Sequence, residues 1–410
     1  MPRTEFYQIA VKRGFYGVDK SGLFGKKDNV RKHWEDMSLK MSIRPAIEQV
    51  LEHKDKIRIV DLGCGSGEGI ELLTHVPPSD PVKTVDKEFV MTEGNIEIYK
   101  GIDISPAMLE QGKHNYAGLP QVQFVQGDLS EGFPLIKDEP YDIYFSSYAS
   151  ESHLTFHELE RLTEQIFSHI GDRGYMVFDL HGRYSPEWPK YWSGDCHTCL
   201  PYTMAYLLPP QEQDPEKIKW FDVTYWSGSE LIELIESAAR SAGRKAKIVA
   251  LQDRSIFVGR HMDTSLFKKQ SSQMRMAVNL LFDRNCRGQI DALNLDMKYL
   301  EEVKDVSRQG WTRIYDCYNQ WQGVINMLQA LMFANNAEVK RIIESSPDNL
   351  ADEMKMLAWL YRNADRFPVA DFWAGIMGPQ VGCVLRNLEF SLPQGIGCGH
   401  GLFCVVDVAK

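Results

Sequence analysis

From Ile57 to Arg260 short β-rich runs alternate with amphipathic helical patterns, and this alternation constrains the fold more than any other feature. Strands separated by helices pair in parallel, and a parallel sheet must be covered by helices on both faces. The runs are IRIVDL, EIYKGIDI, VQFVQGD, YDIYFSS, GYMVFDL, AKIVAL and SIFVGRH, with helices expected at about 69–75, 105–115, 155–169 and 229–242. Two of the helices have legible ends: Ser105 precedes Pro106 at a helix start, and Gly243 follows SELIELIESAARSA. The expectation is an α/β, doubly wound, mostly parallel seven-stranded sheet.

The flanks read differently. Residues 1–53 include RKHWEDMSLKMSIRPAIEQVLEHK, whose apolar spacing suits a helical N-terminal lid or support. Beyond the sheet domain, 54–262, the region 263–410 is mainly helical, and its tail CVLRNLEFSLPQGIGCGHGLFCVVDVAK reads as two strands joined by a glycine-rich turn, a β-hairpin. Residues 77–95 and 182–226 read as inserted loops of the sheet domain.

A net charge of −10 disfavours nucleic acid and anionic lipid as partners. No run of about 18 uncharged apolar residues suggests a membrane span, and the N-terminal residues lack a secretory apolar core, so a cytoplasmic protein is expected. The eight scattered cysteines are then expected as reduced thiols.

The chemistry-bearing signal is VDLGCGSG, Val60–Gly67, between a strand and a helix. Its glycines allow a sharp turn and a close ligand approach near a helix N-terminus, the makings of a nucleotide-like site. The second strand ends in Gly101-Ile102-Asp103 and the third in Gln126-Gly127-Asp128. Asp103 can accept two ribose hydroxyls and Asp128 an adenine amino group. Three successive strands ending in aspartate at one edge form a site pattern, against the plainer reading of turn-capping residues. A nicotinamide-dependent oxidoreductase would need glycine or alanine where Glu68 stands in a G-x-G-x-x-G fingerprint.

With these motifs the chain resembles the class I S-adenosylmethionine-dependent methyltransferases over roughly residues 45–262. VDLGCGSG, GIDIS, VQGDL and YDIYFSSYAS are similar to that family's successive motifs. The resemblance implies a Rossmann-like fold and S-adenosylmethionine as cofactor. It implies that Asp61 with Gly63, Cys64, Gly65 and Gly67 faces the methionine part, that Asp103 and Ile104 lie at the ribose, that Gly127, Asp128 and Leu129 lie at the adenine, and that Ser146 and Ser147 line the reacting methyl. Asp61 and Asp103 are 42 positions apart, against about 20 for a short crossover; VPPSDPVKTVDKEFVMTEGN accounts for the excess as a surface insertion.

Acceptors of open parallel sheets lie beyond the strands' carboxyl ends. Glu151, His153, Asp179 and His181 are the candidate bases there. His153 reads equally as a residue leading into the helix near Thr155. The ring-rich connection from Gly182 to Trp226, with Tyr184, Trp188, Trp192 and Trp226, reads with Tyr148 as an acceptor wall, or as packing against the C-terminal region. Cys196-His197-Thr198-Cys199 lacks a second ligand pair, so no metal is expected. The function read from the sequence is methyl transfer to oxygen, nitrogen or activated carbon of a small-molecule acceptor, the alternative being a non-catalytic S-adenosylmethionine-binding sensor or scaffold. The C-terminal helices are left with three roles: closing the acceptor pocket, holding a carrier protein, or forming a homodimer.

Overall fold

The computed structural model describes residues 28–79, 88–268 and 271–410, together with Val11, Lys12 and Gly14. The rest of the expected N-terminal support, and residues 80–87 of the expected 77–95 insertion, lie outside the described residues.

The strands are β1 (Ile57–Leu62), β2 (Ile96–Asp103), β3 (Val122–Gln126), β4 (Ile143–Phe145), β5 (Arg173–Gly182), β6 (Leu200–Tyr202), β7 (Phe221–Val223), β8 (Tyr225–Trp226), β9 (Lys245–Arg254) and β10 (Gly401–Ala409). The main sheet runs β3-β2-β1-β4-β5-β10-β9, with the short β8 beside β5 as its eighth strand. Pairs β1–β2, β2–β3, β1–β4, β4–β5 and β5–β8 are parallel, whereas β10 is antiparallel to both neighbours. Strands β6 and β7 form a separate antiparallel pair within the 182–226 insertion.

The helices are α1 (Asp36–Leu51), α2 (Gly69–Thr74), α3 (Pro106–Asn115), α4 (Phe156–His169), α5 (Gly228–Ala242), α6 (Met274–Leu281), α7 (Arg308–Met332), α8 (Asn336–Glu344), α9 (Asp348–Arg362) and α10 (Gly378–Ser391). A π-helical turn, Arg31–Glu35, leads into α1. Strand alternation sends Ile57 and Ile59 to one face, where they pack with Ile43, Ile47 and Leu73 of α1 and α2, and Val60 and Leu62 to the other, with Leu159, Ile166, Leu231 and Leu234 of α4 and α5. Thr155 and Ser227 start α4 and α5 with reciprocal capping boxes to Glu158 and Glu230.

Two expectations are corrected. SIFVGRH is not the seventh strand: Ser255 takes a left-handed conformation, φ +62°, which ends β9, and Ile256, Phe257 and Val258 continue as a buried irregular segment. A short apolar run does not distinguish a buried strand from buried coil. The C-terminal hairpin is also absent. Its first half is α10, and its second is β10, which lies in the main sheet between β5 and β9 along its whole length.

Two buried carboxylates fasten this arrangement. Asp253 accepts from the backbone N–H groups of Ile396, Gly397 and Cys398 at 3.1, 2.7 and 2.8 Å, holding the turn that feeds β10. Glu389 of α10 accepts from Trp34 Nε1 at 2.8 Å and from the Ser255 and Ile256 N–H groups at 2.9 and 2.7 Å. Trp34, Ile256, Phe257 and Val258 accordingly share one core with α6, α7, α9 and α10. Among the described residues no helix is long and apolar enough to cross a membrane.

Phe403 of β10 is buried against Ile59, Val177 and the α1 face. Phe403→Ala should cost about 3–5 kcal/mol of stability, read from urea unfolding monitored by circular dichroism.

Candidate active site at the carboxyl edge of the sheet

The glycine loop follows β1 directly. Gly63 and Gly67 have φ of +71° and +90°. A Cβ at 63 would lie 2.6 Å from Ser150 Cβ, and one at 67 would lie 2.7 Å from the Tyr116 ring and 2.8 Å from Phe124. Glycine is required at both for conformation as well as space. Cys64 is buried, its N–H donating to Ile102 O at 2.9 Å, so that it joins the loop to β2.

The three aspartates sit at this edge in different states. Asp61 is buried beneath the loop and accepts a short hydrogen bond from the Tyr99 hydroxyl. Burial pushes its carboxyl up to about 7; the Tyr99 bond opposes that, and Asp103 and Glu68 reinforce it. Its place is that of a loop support. Asp103 Oδ2 accepts from Gly65 N–H at 2.9 Å, and Oδ1 from Ser105 N–H at 2.8 Å, across Ile104. Each carboxylate oxygen has two lone pairs, so both keep capacity for a diol. Burial raises its pKa against those backbone bonds. Asp128 Oδ1 accepts from Ser130 N–H and Oγ at 2.9 and 2.6 Å, opening the turn Leu129–Glu131. Gly127 N–H donates to Asp103 O at 3.1 Å, tying the ends of β2 and β3.

Two buried hydroxyls along this edge, Ser66 and Ser105, have no hydrogen-bond partner. Unsatisfied buried polar groups are rare in folded chains and mark places where a ligand or water completes the bonding. A loop bare of side chains at Gly63, Gly65 and Gly67, a carboxylate with spare acceptor capacity and orphaned hydroxyls fit a cofactor with a ribose and polar ends.

The chain beyond β4 is sharply bent: Tyr148 and Ala149 are both left-handed, φ +58° and +61°, a costly conformation that clusters at functional sites. Ser150 Oγ donates to Gly63 O and Ser147 O at 3.0 and 2.9 Å, joining this bend to the glycine loop. The four candidate bases fare differently. Asp179 is engaged: it accepts from Arg254 Nη2 at 2.9 and 2.8 Å and from Tyr148 N–H at 2.5 Å. Both of its oxygens are thus already engaged by hydrogen-bond donors. His181 is enclosed by the Trp188, Tyr202, Tyr225 and His400 rings, and burial, then His400, holds it well below its usual range. His153 stacks on Phe221 with centroids 5.0 Å apart. Glu151 is fully buried, with the Ser146 hydroxyl bearing on its carboxyl. Burial, and then Asp179, drive its pKa well upward.

The aromatic wall is largely packing. Trp226 is fully buried with Phe156 and Leu231, its Nε1–H donating to Thr224 Oγ1 at 2.9 Å. Trp192 donates to Ser185 O at 3.1 Å and packs, with Tyr184, against the core of the C-terminal helices. Trp188 donates to Gly182 O at 2.9 Å within a cluster of Tyr191, Tyr202, Tyr225 and Phe267. Of the five rings, Tyr148 stands at the carboxyl edge among charged groups. Among the described residues no group of three His, Cys, Asp or Glu is disposed to hold a metal ion. His400 instead lies 2.7 Å, Nδ1 to Oε2, from Glu187. Burial lowers the histidine and raises the carboxyl.

Sequence reasoning missed a buried charge network at this edge. Arg31 bonds Asp36 at 2.8 Å and Glu68 at 3.0 Å, and its guanidinium carbon lies 3.0 Å from the Tyr148 ring centroid. Glu35 is fully buried and shared by Arg275 at 2.9 Å, Arg260 at 3.3 Å and Arg254 at 3.9 Å. Burial alone would raise Glu35, but Arg275, Arg260, Arg254 and Arg31 together hold it well below the usual carboxylate range. The only local hint is the i, i+4 spacing of Arg31 and Glu35 and the charge at the end of AKIVALQDR.

Residues 53–225 match a family model described as a methyltransferase domain. Two curated relatives are trans-aconitate 2-methyltransferase of Klebsiella pneumoniae, 25% identical over 193 residues, and malonyl-[acyl-carrier protein] O-methyltransferase of Halalkalibacterium halodurans, 28% identical over 143 residues. The first match covers 46% of this chain and 63% of the relative, the second 33% and 43%. The chain thus spans less than two thirds of either relative's length. A solved S-adenosylmethionine-dependent methyltransferase from Mesorhizobium loti is similar over 52% of this chain and 85% of that one, at 15% identity and a TM-score of 0.34, too loose a superposition to rest anything on.

Asp61 gives a pH test of the loop support. A carboxyl near 7 when folded and near 3.9 when unfolded binds more protons in the native state between those values, so its contribution to stability falls as pH rises from about 4 to 7. Asp61→Asn, which keeps an acceptor for Tyr99, should flatten that decline in urea unfolding measured across the window.

Proposed function

We propose that the protein, whose residues 53–225 match a methyltransferase-domain family, is a class I S-adenosylmethionine-dependent methyltransferase that transfers the methyl group of S-adenosylmethionine to a small-molecule acceptor and releases S-adenosylhomocysteine. The observation that carries the reading is the shared edge: Asp103 with spare acceptor capacity beside the glycine loop, Asp128 one strand further, and orphaned Ser66 and Ser105 hydroxyls along it.

When bound, the cofactor supplies an electrophilic methyl on a sulfonium centre. The loop Gly63–Gly67 would bear on its methionine part, Asp103 would accept from the ribose hydroxyls, and Asp128 with Leu129 would border the adenine. Ser146 and Ser147, at the end of β4, would line the methyl. The residues that follow, Tyr148 to His153, border the acceptor and exclude water from it, leaving alignment as the main catalytic task. The acceptors named for the two relatives, trans-aconitate and a malonyl group on a carrier protein, support a metabolite or carrier-borne acceptor over a nucleic acid, as does the net charge of −10. A cofactor-binding protein without turnover is the competing reading, favoured by the occupied state of Asp179 and the enclosed state of His181.

Calorimetry with S-adenosylmethionine and S-adenosylhomocysteine tests the reading. Wild-type protein should bind both, and Asp103→Ala should weaken binding by about 1–3 kcal/mol for lost hydrogen bonds to a buried partner. Folded wild-type protein that binds neither would remove the methyltransferase assignment.

A further inference from the structure

Three guanidinium groups converge on one ring at the acceptor side. The Arg31 guanidinium carbon is 3.0 Å from the Tyr148 centroid, that of Arg254 5.0 Å and that of Arg260 5.2 Å. The three come from elements far apart in sequence, the π turn before α1, the end of β9 and the segment after it, and they meet over the left-handed bend after β4.

The carboxylates present do not satisfy them. Arg31 has Asp36 and Glu68. Arg254 meets Asp179 through Nη2 alone, while its Nε and Nη1 are buried with no hydrogen-bond partner, Nη1 lying 3.9 Å from Glu35. Arg260 reaches Tyr206 Oη at 2.7 Å and one oxygen of Glu35, a carboxylate it shares with two other arginines, and its Nε is likewise unpartnered. Buried guanidinium N–H groups without acceptors are costly, and one carboxylate placed between the two arginines can accept from a free nitrogen of each through its two oxygens.

We propose that Arg254 and Arg260, against the Tyr148 ring, hold a carboxylate of the acceptor, and that the product is its methyl ester. The inference rests on the methyltransferase reading and deepens it. A carboxylate oxygen attacks the methyl carbon with its own lone pair. The C–O bond forms as the C–S bond breaks, the electron pair of that bond stays on sulfur, and the negative oxygen and positive sulfonium become a neutral ester and a neutral thioether. No proton moves, so the reaction needs no base. That accords with an edge where Asp179 is tied to Arg254 and His181 is enclosed by rings.

The test uses the full chain, methyl-labelled S-adenosylmethionine, and a panel of succinate, citrate, benzoate and octanoate, each paired with its primary amide. Binding of S-adenosylhomocysteine is measured first, and its failure in wild-type protein counts against the methyltransferase reading itself. With that binding in hand, label should pass to at least one carboxylate and to no amide, and alkali should release it as methanol, which an ether or an amine does not do. Arg260→Gln should lower kcat/KM at least a hundredfold while S-adenosylhomocysteine affinity stays within twofold. If that variant does not bind S-adenosylhomocysteine, Arg260→Lys replaces it, with an expected loss of at least tenfold from the missing fork. Label that is stable to alkali, equal use of amides, no transfer to any carboxylate by cofactor-binding protein, or an unchanged kcat/KM in the variant would each overturn the proposal.

Discussion

The structure depends on the pairing of β10 between β5 and β9. Nine residues at the end of the chain, Gly401–Ala409, bond on both sides to strands formed far earlier. The helices from Met274 to Ser391 are therefore tethered at both ends to the same sheet and fold back beside it. That return brings α10 against the segment after β9 and against Trp34, with Glu389 as the common acceptor. The Glu389 carboxyl, pushed up to about 7 by burial, is tolerated there because a side chain and two backbone N–H groups donate to it.

The same closure assembles the charged part of this edge. Near the carboxyl ends of β5 and β9, still within the strands, stand Asp179 and Arg254, bonded to each other, and the residues after β9 carry Arg260. Above them lies the N-terminal π turn, with Arg31 and Glu35, at the point where a wider helical turn displaces side chains from ordinary α-helical register. Glu35 has no exposure and three arginine neighbours, so it is the hinge of charge balance at this edge. Buried charges of this density persist only when paired and hydrogen-bonded, and the unmatched nitrogens of Arg254 and Arg260 stand out against that background.

Much of the sheet was legible in the sequence. The strands from Ile57 to Gly182, the β9 strand and the four helices beside them follow from apolar periodicity, capping residues and glycine stops, all of them local signals. Asp103 and Asp128 could be singled out because a strand end and its following loop are neighbours in sequence. The errors fell where locality fails. SIFVGRH carries a strand's composition but is coil, since Ser255 turns left-handed, and CVLRNLEFS carries apolar residues that serve equally as an α10 face. The rings of the 182–226 insertion could be counted but not aimed: Trp192 and Tyr184 face the helical core and Trp226 the α4–α5 face.

By itself, then, the sequence determined a doubly wound sheet, a glycine loop and the aspartates beside it, because each depends on residues within one strand–turn–helix unit. The tertiary structure decided which strand completes the sheet, which candidate bases are engaged or enclosed, and which cations gather over Tyr148. Trp34 and Glu389 are 355 residues apart, and Arg254 and Asp179 are 75 apart. No periodicity or motif spans such distances, because what pairs these groups is the burial of charge that only the closed sheet and its returning helices enforce.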